Sequence, residues 1–274
     1  MIKIITDSSA DLPKELLEKH DITVVPLTVT MEGKDYREGI DLRPKEFFEK
    51  MFLSDDLPKT SQPSPASFSE VFSKFDSDTE LLCFTISSGL SGTYQSACLG
   101  GELSNARVTV WDTLAGSLAH GIQILLAAEL AEKDHTMDEI LAELKKFRER
   151  MNILVLLDTL ENIVKGGRLS KFQGSLAKIL NIKVILEGVK GEVVMKEKIR
   201  GRKKFLKRVY EIIGERETDF SNITFGITHT GNFEEAEEVK QEIIRQFQPK
   251  KVILNYMGAT MGTYAGKGGM IISF

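Results

Sequence analysis

Little in this sequence could staple the chain or seat a metal ion. Its 274 residues hold two cysteines, Cys83 and Cys98, with no second pair to complete a site. Neither a disulfide scaffold nor a zinc centre is expected, and a reducing, cytoplasmic setting is. There is no surplus of positive charge: the formal net charge of -4 argues against a protein that coats nucleic acid. Long apolar runs are missing as well. The most apolar helical stretch, "GIQILLAAELA", is interrupted by Glu129 and is too short to span a bilayer. "MIKIITDSS" lacks the apolar core and small-residue cleavage site of a secretory signal. Also absent are a G-x-x-x-x-G-K-[ST] phosphate loop and a G-x-G-x-x-G after the first strand.

What is present is an ordinary globular composition, 42% hydrophobic and 28% charged, in a chain long enough for two domains. Short apolar strands alternate with helices through about residue 150. "IKIIT", "ITVVPLTVT", "ELLCFTI" and "RVTVWD" read as strands, with Pro26 marking an edge or a bulge. Asp7, Ser8 and Ser9 can each accept from free backbone N–H groups, and Asp11 is a candidate helix N-cap ahead of Pro13. Helices are expected at "RPKEFFEKMF" and in two runs from Ser117 to Arg150.

The second half reads differently. "ILVLLD" is a strand, "LENIVKGGRLSKFQGSLAKIL" mostly helix, and "IKVILEGVKGEVVMKEK" a hairpin turning near Lys190–Gly191. A basic helix from Arg202 and a strand–helix–strand unit follow, then a glycine-rich tail read as a loop. The expected fold is α/β: a parallel-sheet βαβ domain over 1–150 and a second α/β (α+β) domain over 151–274.

Four polar loops carry the chemistry. In "SSGLSGTYQSA", Gly89 to Thr93 approaches the serine-nucleophile pattern G-x-S-x-G but ends on Thr93. A serine hydrolase also needs a histidine base, and of four histidines only His229 sits where a loop after a strand would present it. What remains is a helix start whose N–H groups and hydroxyls suit a small anion. In "KTSQPSP", two prolines hold Thr60, Ser61 and Gln62 at low entropic cost. In "KGGRLSK", Gly166 and Gly167 allow Arg168 to turn inward, where a guanidinium grips carboxylate or phosphate with two parallel bonds. The tail "GATMGTYAGKGGM" is the fourth. Ligands of open α/β sheets gather where such strand-end loops meet. Taken singly, each loop is equally well a helix cap, a helix entry or the seat of a surface salt bridge.

In order, "TDSSADLP", "TSQPSP", "SSGLSGTYQSA", "GGRLS" and the tail resemble the DegV family of bacterial proteins along essentially the whole chain. The resemblance implies a two-domain protein holding one long-chain fatty acid, such as palmitate, in a tunnel between its domains. It implies a lipid-binding carrier and not an enzyme, without cofactor or metal. The carboxylate would be gripped by Ser61 and Thr93, with Thr60, Ser91 and Gly92 beside them and Arg168 near the head group. The better-studied members are similar to the acyl-binding subunit of a bacterial fatty acid kinase, serving phospholipid metabolism. They present the acid to a separate ATP-binding subunit and carry the acyl-phosphate. A monomer with transient membrane contact is implied too. One position departs: the family's tail histidine is replaced by Tyr264, which keeps a hydroxyl but cannot carry a positive charge.

Two further features stand out. Eight basic residues lie between Lys196 and Arg208, a solvated face or a docking surface for an acidic partner. Met195, Met257, Met261 and Met270 suit an adaptable acyl tunnel or plain core filling. The alternative function is an enzyme acting on a small phosphorylated or hydroxylated metabolite through the same loops.

Overall fold

The computed structural model describes residues 1–54, 56–170 and 182–274. Strand β1 (Ile2–Asp7) ends in a single 3-10 turn at Ser8–Ala10, capped by the Asp7 carboxylate. Helix α1 (Lys14–Lys19) begins directly after Pro13. Asp11 does not cap it. It takes a left-handed backbone (φ 51°), and its carboxylate accepts the N–H of distant Gly258 at 2.7 Å.

The run "ITVVPLTVT" is two strands, not one. Pro26 has no N–H to give a ladder, and the chain breaks there into β2 (Thr23–Val25) and β3 (Thr28–Met31). Strand β2 is the edge of one sheet, while β3 joins another, pairing antiparallel with β4 (Lys34–Arg37). After α2 (Pro44–Met51), β5 (Lys59–Ser61) pairs with the other side of β3. The first part of the "KTSQPSP" loop is therefore a strand, with Thr60 opposite Val29 and Ser61 opposite Thr28.

Helix α3 (Pro65–Phe72) starts with proline in its first turn, and the Ser64 hydroxyl accepts the Ser67 N–H at 3.1 Å. Strand β6 (Glu80–Thr85), helix α4 (Thr93–Glu102) and strand β7 (Arg107–Asp112) complete the parallel sheet β2-β1-β6-β7. Helices α5 (Leu118–Ala131) and α6 (Met137–Arg150) follow, the latter opened by a Thr136–Glu139 capping box.

The second sheet is mixed. It contains β8 (Ile153–Leu157), followed by the short α7 (Glu161–Lys165). The helix expected across that region stops at Lys165, where the chain turns through Gly166 and Gly167; its continuation over 171–181 lies outside the described residues. Strands β9 (Ile182–Val189) and β10 (Glu192–Arg200) form the expected hairpin. Lys190 (φ 49°) and Gly191 (φ 85°) supply the two positive φ angles that match strand twist. After α8 (Arg202–Arg216) come β11 (Thr224–His229), α9 (Phe233–Phe247) and β12 (Lys251–Tyr256).

The glycine-rich tail is more ordered than a loop. It forms α10 (Ala259–Ala265) and β13 (Met270–Ser273), and β13 slots antiparallel between β8 and β11. The sheet order is β10-β9-β8-β13-β11-β12, in which only β11 and β12 run parallel. The α/β class, with a parallel sheet first and a mixed sheet second, is as the sequence implies.

Helix α5 explains how the two sheets join. Ten of its fourteen residues are buried, which an amphipathic surface helix would not allow. It packs on β1 and β6 of the parallel sheet and on β11 and β13 of the mixed one. A second apolar layer gathers Val29, Phe47 and Phe48 from the first half with Leu157, Leu186 and Ala265 from the second. The candidate site lies along that layer.

Candidate functional site

A cavity of about 390 Å³ opens between the two halves. That volume falls within the range of small-molecule sites. Much of its lining is apolar: Leu27, Ile86 and Leu90 from the first half, Val155, Val193 and Ile271 from the second. Its polar end gathers Thr60, Ser61, Gln62, Ser91, Arg168 and Tyr264, with Gly92 beside them. Three of the four polar loops thus meet the tail, although well over a hundred residues separate the first from the last.

Each position has a local cause. Pairing of β5 with β3 delivers Thr60 and Ser61. The Gln62 amide donates to Ser96 Oγ at 2.9 Å, and its side chain lies so close to Gly92 that a Cβ there would sit 2.2 Å from Gln62 Oε1. A side chain at 92 would have to displace the Gln62 amide from that position.

The hydroxyls of "SSGLSGTYQSA" divide by task. Ser87 Oγ donates to the Gly191 carbonyl at 2.6 Å, docking the tip of the β9–β10 hairpin on the loop. Ser88 Oγ donates to Asp112 at 2.5 Å. Ser91 faces the cavity, and its Oγ lies 2.9 Å from Thr93 Oγ1. Thr93 is fully buried behind Ser91 and does not itself line the cavity.

Arg168 is held by its own turn. Gly167 takes φ 71°, the Arg168 Nη1 group donates to the Gly166 carbonyl at 2.6 Å, and Nε reaches the Leu90 carbonyl at 3.4 Å. The guanidinium lies 4.9 Å from the centre of the Tyr264 ring. Among the described residues no acidic side chain pairs with it, so the reading of Arg168 as a surface salt bridge fails there. Tyr264 in turn shares a hydrogen bond of 2.5 Å with Thr60 Oγ1. A Cβ at Gly166 would stand 2.3 Å from Tyr264 Cε1, so that glycine makes room for the ring.

Chemically, the described residues of this end offer one cation, several hydroxyls and an amide, beside apolar lining. Among the described residues the lining includes no histidine and no carboxylate. His229 is buried away from it: its Nδ1 accepts the Gly231 N–H at 3.2 Å, and burial holds the imidazole down to about 4. Of the four methionines, only Met261 lines the cavity, while Met257 and Met270 are core.

Sequence reasoning missed the partners of the "DSSADL" segment. Buried Glu38, on an otherwise unremarkable loop, accepts from Ser8 Oγ at 2.5 Å and from Thr260 Oγ1 at 2.8 Å. No local pattern marks Glu38, because its partners lie far along the chain. The basic run is also less free than its density implies. Lys196, Arg202, Lys207 and Arg208 form ion pairs with acidic neighbours. Among the described residues Lys198, Arg200, Lys203 and Lys204 have none. Both cysteines are free, and no described helix is long and apolar enough to cross a membrane.

Comparison with known proteins places this geometry in context. The model of the "Uncharacterised protein, DegV family COG1307" matches residues 1–274. A DegV domain-containing protein of Caldanaerobacter subterraneus is 32% identical, over 97% of this chain and 95% of its own. The structure of a DegV family protein from Thermus thermophilus, described for its fatty acid binding, superposes with a TM-score of 0.92 at 32% identity, covering 100% of this chain and 99% of that one. A stearic-acid-binding protein from Eubacterium ventriosum gives a TM-score of 0.92 at 26% identity, over 100% and 97% of the two chains.

Proposed function

We propose that this chain, which belongs to the DegV family, binds one long-chain fatty acid in the cavity between its two halves. The carboxylate lies at the polar end and the acyl chain along the apolar wall. The observation that carries this reading is one cavity that joins apolar lining to an end where, among the described residues, a single arginine stands without an acidic partner. The solved relatives from Thermus thermophilus and Eubacterium ventriosum, both fatty-acid binders, support it.

The energetics agree. Each buried methylene contributes roughly 0.8 kcal/mol, so the chain supplies most of the affinity. The carboxylate then has to be compensated as it leaves water, which Arg168, Ser61, Ser91 and the Tyr264 hydroxyl do without a catalytic base. Thr93 acts one step back, by orienting the Ser91 hydroxyl. The enzyme alternative lacks a general base at Ser91 among the lining residues.

The finer reading is that the protein is a cytoplasmic monomer that presents the carboxylate to an ATP-using fatty acid kinase subunit and carries the acyl-phosphate away. Exposure of Ser61, Gln62 and Gly92 at the polar end supports access by such a partner. Lys198, Arg200, Lys203 and Lys204 are the basic residues available to dock an acidic surface. We place the domain boundary at residue 150, between α6 and β8.

Native mass spectrometry before and after delipidation tests the proposal. A co-purified acid of long-chain mass, lost on delipidation and regained on adding stearate, is the expected result. A chain that never takes up fatty acid but turns over a small metabolite alone would refute it.

A further inference from the structure

We infer that Asp11 and Glu38 are positioning residues, a buried carboxyl clamp from the first half of the chain that sets α10, and through it Thr260, Met261 and Tyr264, against the cavity. Glu38 Oε1 accepts the Thr260 N–H at 2.7 Å, and Oε2 accepts Thr260 Oγ1 at 2.8 Å. Asp11 Oδ1 accepts the Gly258 N–H at 2.7 Å, while its Oδ2 accepts from Ser117 Oγ at 2.6 Å. The Asp11 carbonyl accepts from Asn255 at 2.8 Å, so the approach to α10 is fixed from β12 onward.

The fit between the parts is close. A Cβ at Gly258 would lie 2.4 Å from Glu38 Oε1 and 2.8 Å from Asp11 Oδ1, so only glycine lets the two carboxyls close over this point. Ser8 braces the clamp: its Oγ donates to Glu38 at 2.5 Å and accepts the Leu27 N–H at 2.9 Å. The clamped helix is also a cavity wall. Thr260, Met261, Tyr264 and Ala265 all line it, and Tyr264 reaches Thr60 at the polar end. Burial pushes both carboxyls above their usual range, with repulsion from Glu38 adding to it at Asp11 and from Asp7 at Glu38. Neutral amides should therefore replace them well. In Asp11→Asn the new NH₂ can donate to Ser117, whose own hydrogen turns to Thr228 Oγ1, 2.8 Å away.

Two measurements test the clamp. In the ligand-free chain, Glu38→Ala should speed amide hydrogen exchange across residues 259–266 roughly tenfold, with β6 unchanged, and Glu38→Gln should restore it. If Glu38→Ala does not fold, Ser8→Ala removes one brace and should give about a threefold effect in the same place. Exchange that rises evenly over the whole chain, or nowhere, overturns the inference. The second measurement rests on the fatty-acid reading. Release of radiolabelled stearate should quicken about tenfold in Glu38→Ala, and less so when Tyr264→Phe is already present. An undiminished effect in the Tyr264→Phe background overturns the link through α10. If the wild-type chain retains no stearate, the fatty-acid reading falls, while the exchange pattern still decides the clamp.

Discussion

Replacing Arg168 by glutamine separates the two contributions to affinity that the cavity implies. Among the described residues the guanidinium has no acidic partner and donates only to the Gly166 and Leu90 carbonyls, so a bound carboxylate would be its ion pair. Losing a hydrogen bond to a charged group costs about 1.5–3 kcal/mol, a weakening of roughly 10- to 150-fold. Glutamine can keep one donor toward the Gly166 carbonyl, now held at 2.6 Å, so folding stability should change by less than ~0.5 kcal/mol. The decisive assay is calorimetric binding of saturated fatty acids of increasing length to both proteins. Binding free energy should grow by up to about 0.8 kcal/mol per methylene in each, until the chamber is full. The two plots should be parallel and offset by the head-group loss alone. Lysine at 168 should recover part of the offset, since it restores charge but not the planar stack over Tyr264. Coincident lines would show that Arg168 does not hold the carboxylate. Converging lines would show that head group and chain are not bound at separate ends.

Three other outcomes follow from the geometry. Gly166→Ala should drive the Tyr264 ring from Thr60, because the added carbon meets Tyr264 Cε1 at 2.3 Å; a roughly tenfold loss of stearate affinity is expected, against little loss for Gly167→Ala, which has open space but should cost about 1 kcal/mol of stability through its φ of 71°. Ser61→Ala combined with Thr93→Ala should weaken fatty-acid binding about tenfold by the same assay; unchanged retention would remove these hydroxyls from the head-group site. His229→Asn keeps an acceptor near the Gly231 N–H but removes a base held at about 4 against an unfolded value of 6.5, so wild type should lose more stability than the variant as pH falls through that window, by an extra ~2–3 kcal/mol at pH 4 in urea unfolding, while buried His120, held at about 3, affects both alike; parallel pH profiles would refute this.

The parts of this protein that could be read from its sequence are those decided locally. Strands β1, β6, β7 and β8 are short apolar runs between turn residues, and the β9–β10 hairpin announces itself at Lys190–Gly191. The polar loops were visible for the same reason, since glycine, proline and hydroxyl side chains mark strand ends. What stayed hidden depends on partners far along the chain. Nothing local says that Pro26 sends β2 and β3 into different sheets. Nor does the tail's glycine content reveal β13, a four-residue strand that exists because β8 and β11 leave a slot between them.

The site divides along the same line. Thr60, Ser61, Ser91, Gly92, Arg168 and Tyr264 do meet, but their alignment required the resemblance along the whole chain, because each loop alone is equally well a cap or a turn. Glu38 escaped even that, since a lone glutamate on a polar loop reads as solvated. Its burial is set by Ser8 and Thr260, at two other places in the sequence. A buried carboxyl is costly unless its acceptors are filled, and here every oxygen of Asp11 and Glu38 has a donor. That full complement is a reason to treat "DSSADL" as part of the site's framework: it fixes the wall that Tyr264 stands on, although neither Asp11 nor Glu38 lines the cavity.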